Sequence, residues 1–121
     1  MPVTLEIDIE NRLVISRFSG EFNIEAMLEL RQQAIRIPAF SGDLVAIDDV
    51  TAVTTVSVLA EDLMHLSSQS LMNPGVRRAI VVSNDLQFGM ARAYQMHSEF
   101  AGQDIQIFRD FEQARQWVTA D

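Results

Sequence analysis

Residues 73–86 read Asn73-Pro74-Gly75-Val76-Arg77-Arg78-Ala79-Ile80-Val81-Val82-Ser83-Asn84-Asp85-Leu86. Asn-Pro-Gly is a strong turn signal, since proline and glycine supply the dihedral angles that a chain reversal needs. Ala79 to Val82 form a short continuous apolar run, as expected for a strand covered on both faces. Asn84 and Asp85 are then placed to cap a helix running from Leu86 to Phe100 and closed by Gly102. A buried strand followed by a helix is the unit of a parallel α/β sheet.

The same unit recurs on both sides. Toward the C-terminus, Ile105-Gln106-Ile107-Phe108 is a strand, and Asp110-Phe111-Glu112-Gln113 has the form of a capping box that opens a last helix through Trp117 and Val118. Toward the N-terminus, Leu44-Val45-Ala46-Ile47 is a buried strand, and Val56, Leu59, Leu63 and Leu66 mark the helix after it. Asn23 caps an earlier helix whose apolar residues Ile24, Met27, Leu28 and Ile35 recur near the 3.6 period, with Pro38 ending it. Before it, Val3, Leu5, Ile7 and Ile9 alternate with polar residues, Glu10-Asn11-Arg12 turns the chain, and Leu13 to Phe18 form a second strand that Ser19-Gly20 breaks. The order is β-β-α-β-α-β-α-β-α, an α/β fold with a mixed sheet of five strands. Only the first strand runs against the others, because the hairpin reverses direction once and each later helix restores it.

Composition sets limits on function. The 121 residues, 48% of them hydrophobic, suit one domain spanning residues 1–121 with a single system of cores. No apolar stretch is long enough to span a bilayer, and Met1-Pro2-Val3-Thr4 lacks the basic and apolar regions of a signal peptide, so a cytoplasmic protein without membrane insertion is expected. A formal charge of −8 repels phosphate backbones, which argues against nucleic acid as a partner. The chain has no cysteine, and its nine basic residues are all arginine. Thiolate, Schiff-base and P-loop lysine chemistry are therefore absent.

In open parallel sheets ligands gather at the carboxyl ends of the strands. Asp48-Asp49, Ser83-Asn84-Asp85 and Arg109-Asp110 are expected there. Asp48, Asp49, Asp85 and Asp110 are thus a candidate polar ligand site, with helix capping as the simpler role, assisted by Gln87 and Gln113. A tightly bound metal is not expected, since neither cysteine nor a histidine pair is present to complete a transition-metal site. His65 reads as a solvated helix residue and His97 as one at the margin of the core, so no catalytic residue is assigned and no cofactor is implied. Met90, Tyr94, Met96 and Trp117 either fill the core or line a pocket for a small apolar molecule. Thr54, Thr55 and Ser57 surround the expected start of the second helix, where hydroxyls cap free N–H groups and where a phosphoryl group would meet the helix dipole.

Two strings, Arg78-Ala79-Ile80-Val81-Val82-Ser83 and Gln106-Ile107-Phe108-Arg109-Asp110-Phe111-Glu112-Gln113-Ala114-Arg115-Gln116-Trp117-Val118, together with the element order, resemble the SpoIIAA-like superfamily. The likeness is to its small stand-alone bacterial members, related to the anti-sigma-factor antagonist (STAS) domains. The resemblance implies the SpoIIAA-like fold, shared with the CRAL-TRIO lipid-transfer domain, and no enzyme activity. It also implies a protein partner, and it places the family's phosphoacceptor region near Thr54-Thr55, where an Asp-Ser pair is replaced. Two functions follow as expectations: a regulatory protein-interaction module, or a carrier or sensor of a small apolar ligand or lipid. An enzyme using the acidic strand ends is a remote third, and a homodimer is compatible with all three.

Overall fold

The computed structural model describes residues 3–68, 70–99 and 102–121. Phe100 and the side chain of Leu66, both expected on helices, lie outside the described residues. The chain opens with β1 (Val3–Asp8) and β2 (Leu13–Phe22), an antiparallel hairpin in register Leu5↔Ser16. Asp8 holds the turn by accepting from the backbone N–H and side-chain amide of Asn11 at 3.2 and 2.8 Å. Arg12 takes the left-handed conformation there, with φ of 51°. Then follow α1 (Ile24–Arg36), β3 (Val45–Val56), α2 (Ala60–Ser68), β4 (Arg77–Val81), α3 (Asp85–Glu99), β5 (Asp104–Phe108) and α4 (Phe111–Thr119).

The sheet has the order β1-β2-β3-β4-β5, with β1 antiparallel to β2 and every other pair parallel. This is the arrangement that the alternation of strands and helices requires. One face carries α1, α2 and α3; α4 lies on the other, where Ala114 and Val118 pack on Leu13, Ile15, Ile47, Ala79 and Val81. Full burial of side chains such as Leu13 and Ile47 contributes about 1.5–3 kcal/mol each. Among the described residues no helix is long and apolar enough to cross a membrane.

Two boundaries differ from the sequence reading, for one reason. Ser19-Gly20 does not break β2, which runs on to Phe22, and β3 continues past Ile47 to Val56. The two extensions pair with each other through Ser19↔Ala52, Gly20↔Val53 and Phe22↔Val56, with two register shifts in which β3 carries the extra residue. These bulges bring Val50 and Val53, three residues apart, into the same core. The period-two pattern is lost locally, so the strand does not show as alternation. Gly20, with φ of 70°, supplies a backbone conformation at the bulge that residues with a Cβ rarely adopt.

α1 packs on β1 and β2, whereas α2 and α3 pack on each other and α3 reaches β3 and β5. The helical layer is thereby divided, leaving a cleft between α1 on one side and α2 with α3 on the other.

Candidate functional site

Three adjacent strands place a polar residue on the floor of this cleft. Ser16 has the inward parity of Val14 and Phe18, Asp48 that of Ala46 and Val50, and Arg78 that of Ile80 and Val82. Ser16 pairs directly with Asp48 across the β2–β3 ladder, and Arg78 lies one step diagonal to Asp48. The Ser16 hydroxyl donates to Asp48 Oδ1 at 2.6 Å, and Arg78 Nη2 donates to Asp48 Oδ2 at 3.3 Å. The carboxylate thus spends one oxygen on each neighbour.

Arg78 is the centre of the cluster. Its side chain is 9% exposed, and a buried charge needs partners. Nη1 donates to Ser70 Oγ and the Tyr94 hydroxyl at 3.3 Å and to Gln103 Oε1 at 3.4 Å, while the guanidinium carbon sits 5.4 Å from the centroid of the Tyr94 ring. Burial pulls the guanidinium pKa down, but Tyr94 and Asp48 together outweigh it and hold the value above the ordinary arginine range. Arg78 is charged at every physiological pH. Its Nε is buried and has no hydrogen-bond partner among the described residues.

Two adjoining cavities meet at this cluster, sharing Met27, Leu30, Asp48, Arg78 and Tyr94. The first, of about 70 Å³, extends toward Phe40, Leu71 and Met72. The second, of about 60 Å³, extends beneath Phe18, Phe22, Leu63 and Met90. An apolar wall with a few convergent polar groups is the usual composition of a small-molecule site.

The residues singled out from the sequence are distributed differently. Asp48 is not at the end of its strand but in the middle of it, on the cleft floor. Asp49 points to the other face and accepts from Thr51 N and Oγ1 at 2.9 and 2.7 Å. Asp85 is exposed and paired with Arg109 at 3.4 Å, an ion pair of little energetic consequence in water. Asp110 caps α4, accepting from Glu112 N at 2.8 Å and Gln113 N at 3.4 Å. The four carboxylates therefore do not assemble, and among the described residues no three His, Asp or Glu side chains form a metal-ligating group.

Thr54 and Thr55 are exposed residues of β3 rather than the start of a helix, because α2 begins only at Ala60. The first turn of α2 is closed from Leu59, whose N–H reaches Asp62 Oδ2 at 3.3 Å. Ser57 donates to Glu21 Oε1 at 2.8 Å across the bulged ladder. None of the three hydroxyls caps α2. Asn84 does cap α3, accepting from Gln87 N at 2.8 Å, but Gln87 goes beyond a capping box: it is buried and cross-links α3 to β3. Of the four pocket candidates, Met90 and Tyr94 line the second cavity; Met96 is exposed, and Trp117 packs on the opposite face of the sheet. His65 and His97 line neither cavity.

Ser16, Arg78, Ser70 and Gln103 are the functional candidates that sequence reasoning missed. For Ser16 and Arg78 the available signal was parity, a polar residue at an inward position of an otherwise apolar strand; Ser70 and Gln103 lie outside the strands and carried no such signal.

No protein-family model matches the sequence, and no curated protein matches it. Solved structures do. An uncharacterized protein of the DUF3478 family with a SpoIIAA-like fold, from Shewanella loihica PV-4, aligns over 96% of this chain and 93% of its own at 18% identity, with a TM-score of 0.64. An anti-sigma factor antagonist from Mycobacterium paratuberculosis aligns over the same shares at 13% identity, with a TM-score of 0.65. The chain has the SpoIIAA-like fold, the fold that its sequence resemblance implied.

Proposed function

We propose that this protein is a non-enzymatic sensor or carrier that holds a small apolar molecule in the cleft between α1 and the α2–α3 pair. The observation that carries this reading is the pair of adjoining cavities centred on the Ser16–Asp48–Arg78–Tyr94 cluster. A well-packed core leaves few voids, and these two open beside a buried, paired charge. Fold kinship alone does not assign function, so the site has to carry the argument. Native mass spectrometry of protein purified from its own cells, combined with thermal-shift titration against small apolar probes, tests it. A co-purified small molecule, or a rise in Tm that saturates with a probe, is the expected result. Protein that emerges bare and is stabilised by no probe refutes the reading.

A regulatory protein-interaction role is the second reading, favoured by a separate observation. Ile24, Leu28 and Ile35 recur on one face of α1 and are exposed, and one protein of the same fold is an anti-sigma factor antagonist. Under this reading Leu28→Asp abolishes co-purification of a stoichiometric protein partner, or of a second copy of the chain, while the far-UV spectrum is unchanged. Unchanged association in that variant removes α1 from the interface.

A further inference from the structure

Resting on the cleft as a ligand site, we infer that its ligand is electrically neutral: an apolar molecule of about one ring bearing a hydrogen-bond acceptor, such as an amide or ketone carbonyl, that is received by Arg78. An arginine in a pocket ordinarily suggests a carboxylate or phosphate. Here the charge count opposes that assignment. Asp48 already neutralises Arg78 at 3.3 Å, and among the described residues these two are the only charged ones lining the second cavity. Arg31 lines the first cavity as well, from a half-buried position on α1, and adds positive charge at that end of the cleft. In the second cavity an anionic ligand at Arg78 would bring an uncompensated negative charge beside Asp48 into an apolar space, within a chain whose formal charge is −8.

A neutral acceptor meets no such opposition, and the cluster has a donor for it. Arg78 lines both cavities, and the bonds that its two terminal nitrogens make among the described residues are long, at 3.3–3.4 Å. A weakly satisfied buried donor is costly, and an acceptor oxygen on a ligand beside Nη1 or Nη2 would relieve that cost. Size sets the other limit. The two spaces of about 70 and 60 Å³ together approach the roughly 150 Å³ void that accommodates benzene. The Phe18, Phe22 and Met90 walls provide apolar and aromatic contact for a ring.

Three probes of nearly equal size separate the possibilities: toluene, benzamide and benzoate, titrated onto the full chain by calorimetry and ligand-observed NMR at pH 7. The wild-type protein binds benzamide at least about tenfold more tightly than benzoate, and more tightly than toluene. Asp48→Asn keeps an acceptor for Ser16 and Arg78 but leaves the cluster with a net positive charge, so the order of benzoate and benzamide reverses. Should that variant fail to fold, Asp48→Leu/Arg78→Met carries the test, because it removes both charges together: it retains toluene and loses the preference for benzamide over toluene. Benzoate binding the wild type more tightly than benzamide overturns the inference. So does equal affinity for toluene and benzamide, although the cleft then still stands as an apolar site. Failure of all three probes to bind overturns the reading of the cleft itself.

Discussion

Gln87 is the residue whose truncation the structure prices most directly. Its side chain is 1% exposed. Oε1 accepts from Ser83 N at 2.7 Å and Ser83 Oγ at 2.9 Å, while Nε2 donates to Thr51 O at 3.1 Å and Val53 O at 2.8 Å. The β3–β4 ladder extends only to Asp49↔Val81, so β4 does not pair with the carbonyls of Thr51 and Val53, and the glutamine serves as a substitute for it. In Gln87→Ala the exposed Ser83 hydroxyl still donates to the Thr51 carbonyl, as it does at 3.4 Å in the wild type, but the Val53 carbonyl loses a buried partner and Ser83 N a partly buried one. At about 1–3 kcal/mol for the fully buried group and less for the other, the loss is about 2–3 kcal/mol. For a domain of this length that corresponds to a fall in Tm of about 10 °C. Gln87→Glu keeps the acceptors but turns a carboxylate toward two carbonyls, so at pH 7 it is at least as damaging, and it recovers in part when acidified. Urea unfolding followed by far-UV circular dichroism measures both, with an unchanged m-value indicating the same unfolding transition. A loss below about 1 kcal/mol in Gln87→Ala would show that water replaces the side chain and would refute the cross-link argument.

The cap at Asp110 predicts that Asp110→Ala costs about 1 kcal/mol, since Glu112 N and Gln113 N lose their acceptor; a neutral result in thermal unfolding contradicts it. Thr54→Ala and Thr55→Ala, on exposed strand positions, change stability by about 0.5 kcal/mol or less, so a loss as large as that of Asp110→Ala would return these hydroxyls to a capping role. Hydrogen bonds from Ser57 and then Asn23 hold the Glu21 carboxyl below the ordinary glutamate range. A depressed folded-state value means that the stabilisation is present above the unfolded pKa and is lost as pH falls through the folded one. NMR titration should therefore find Glu21 ionised to lower pH than a free glutamate and shifted back upward in Ser57→Ala; an ordinary value in the wild type contradicts the assignment.

The order of elements, the single antiparallel strand and the Asn23 and Asp110 caps were all legible in the sequence. Each is written locally, in hydrophobic periodicity or in a side chain acting on a backbone group two or three residues away. The extent of β3 was not legible. Residues 45–56 are rich in β-branched side chains, but Asp48-Asp49 resembles a strand end, and the bulges opposite β2 disturb the alternation that would have corrected the reading. That misplacement moved Thr54 and Thr55 to a helix terminus and the four aspartates to a shared edge. The cleft cluster was hidden for a different reason. Ser16, Asp48, Ser70, Arg78, Tyr94 and Gln103 span 88 positions of the chain, and only strand register and the docking of α3 bring them to hydrogen-bonding distance. Parity marks each of the three strand residues as inward-facing; whether an inward polar residue meets a partner depends on which strands are neighbours and how they are staggered, and that is decided by the packed sheet.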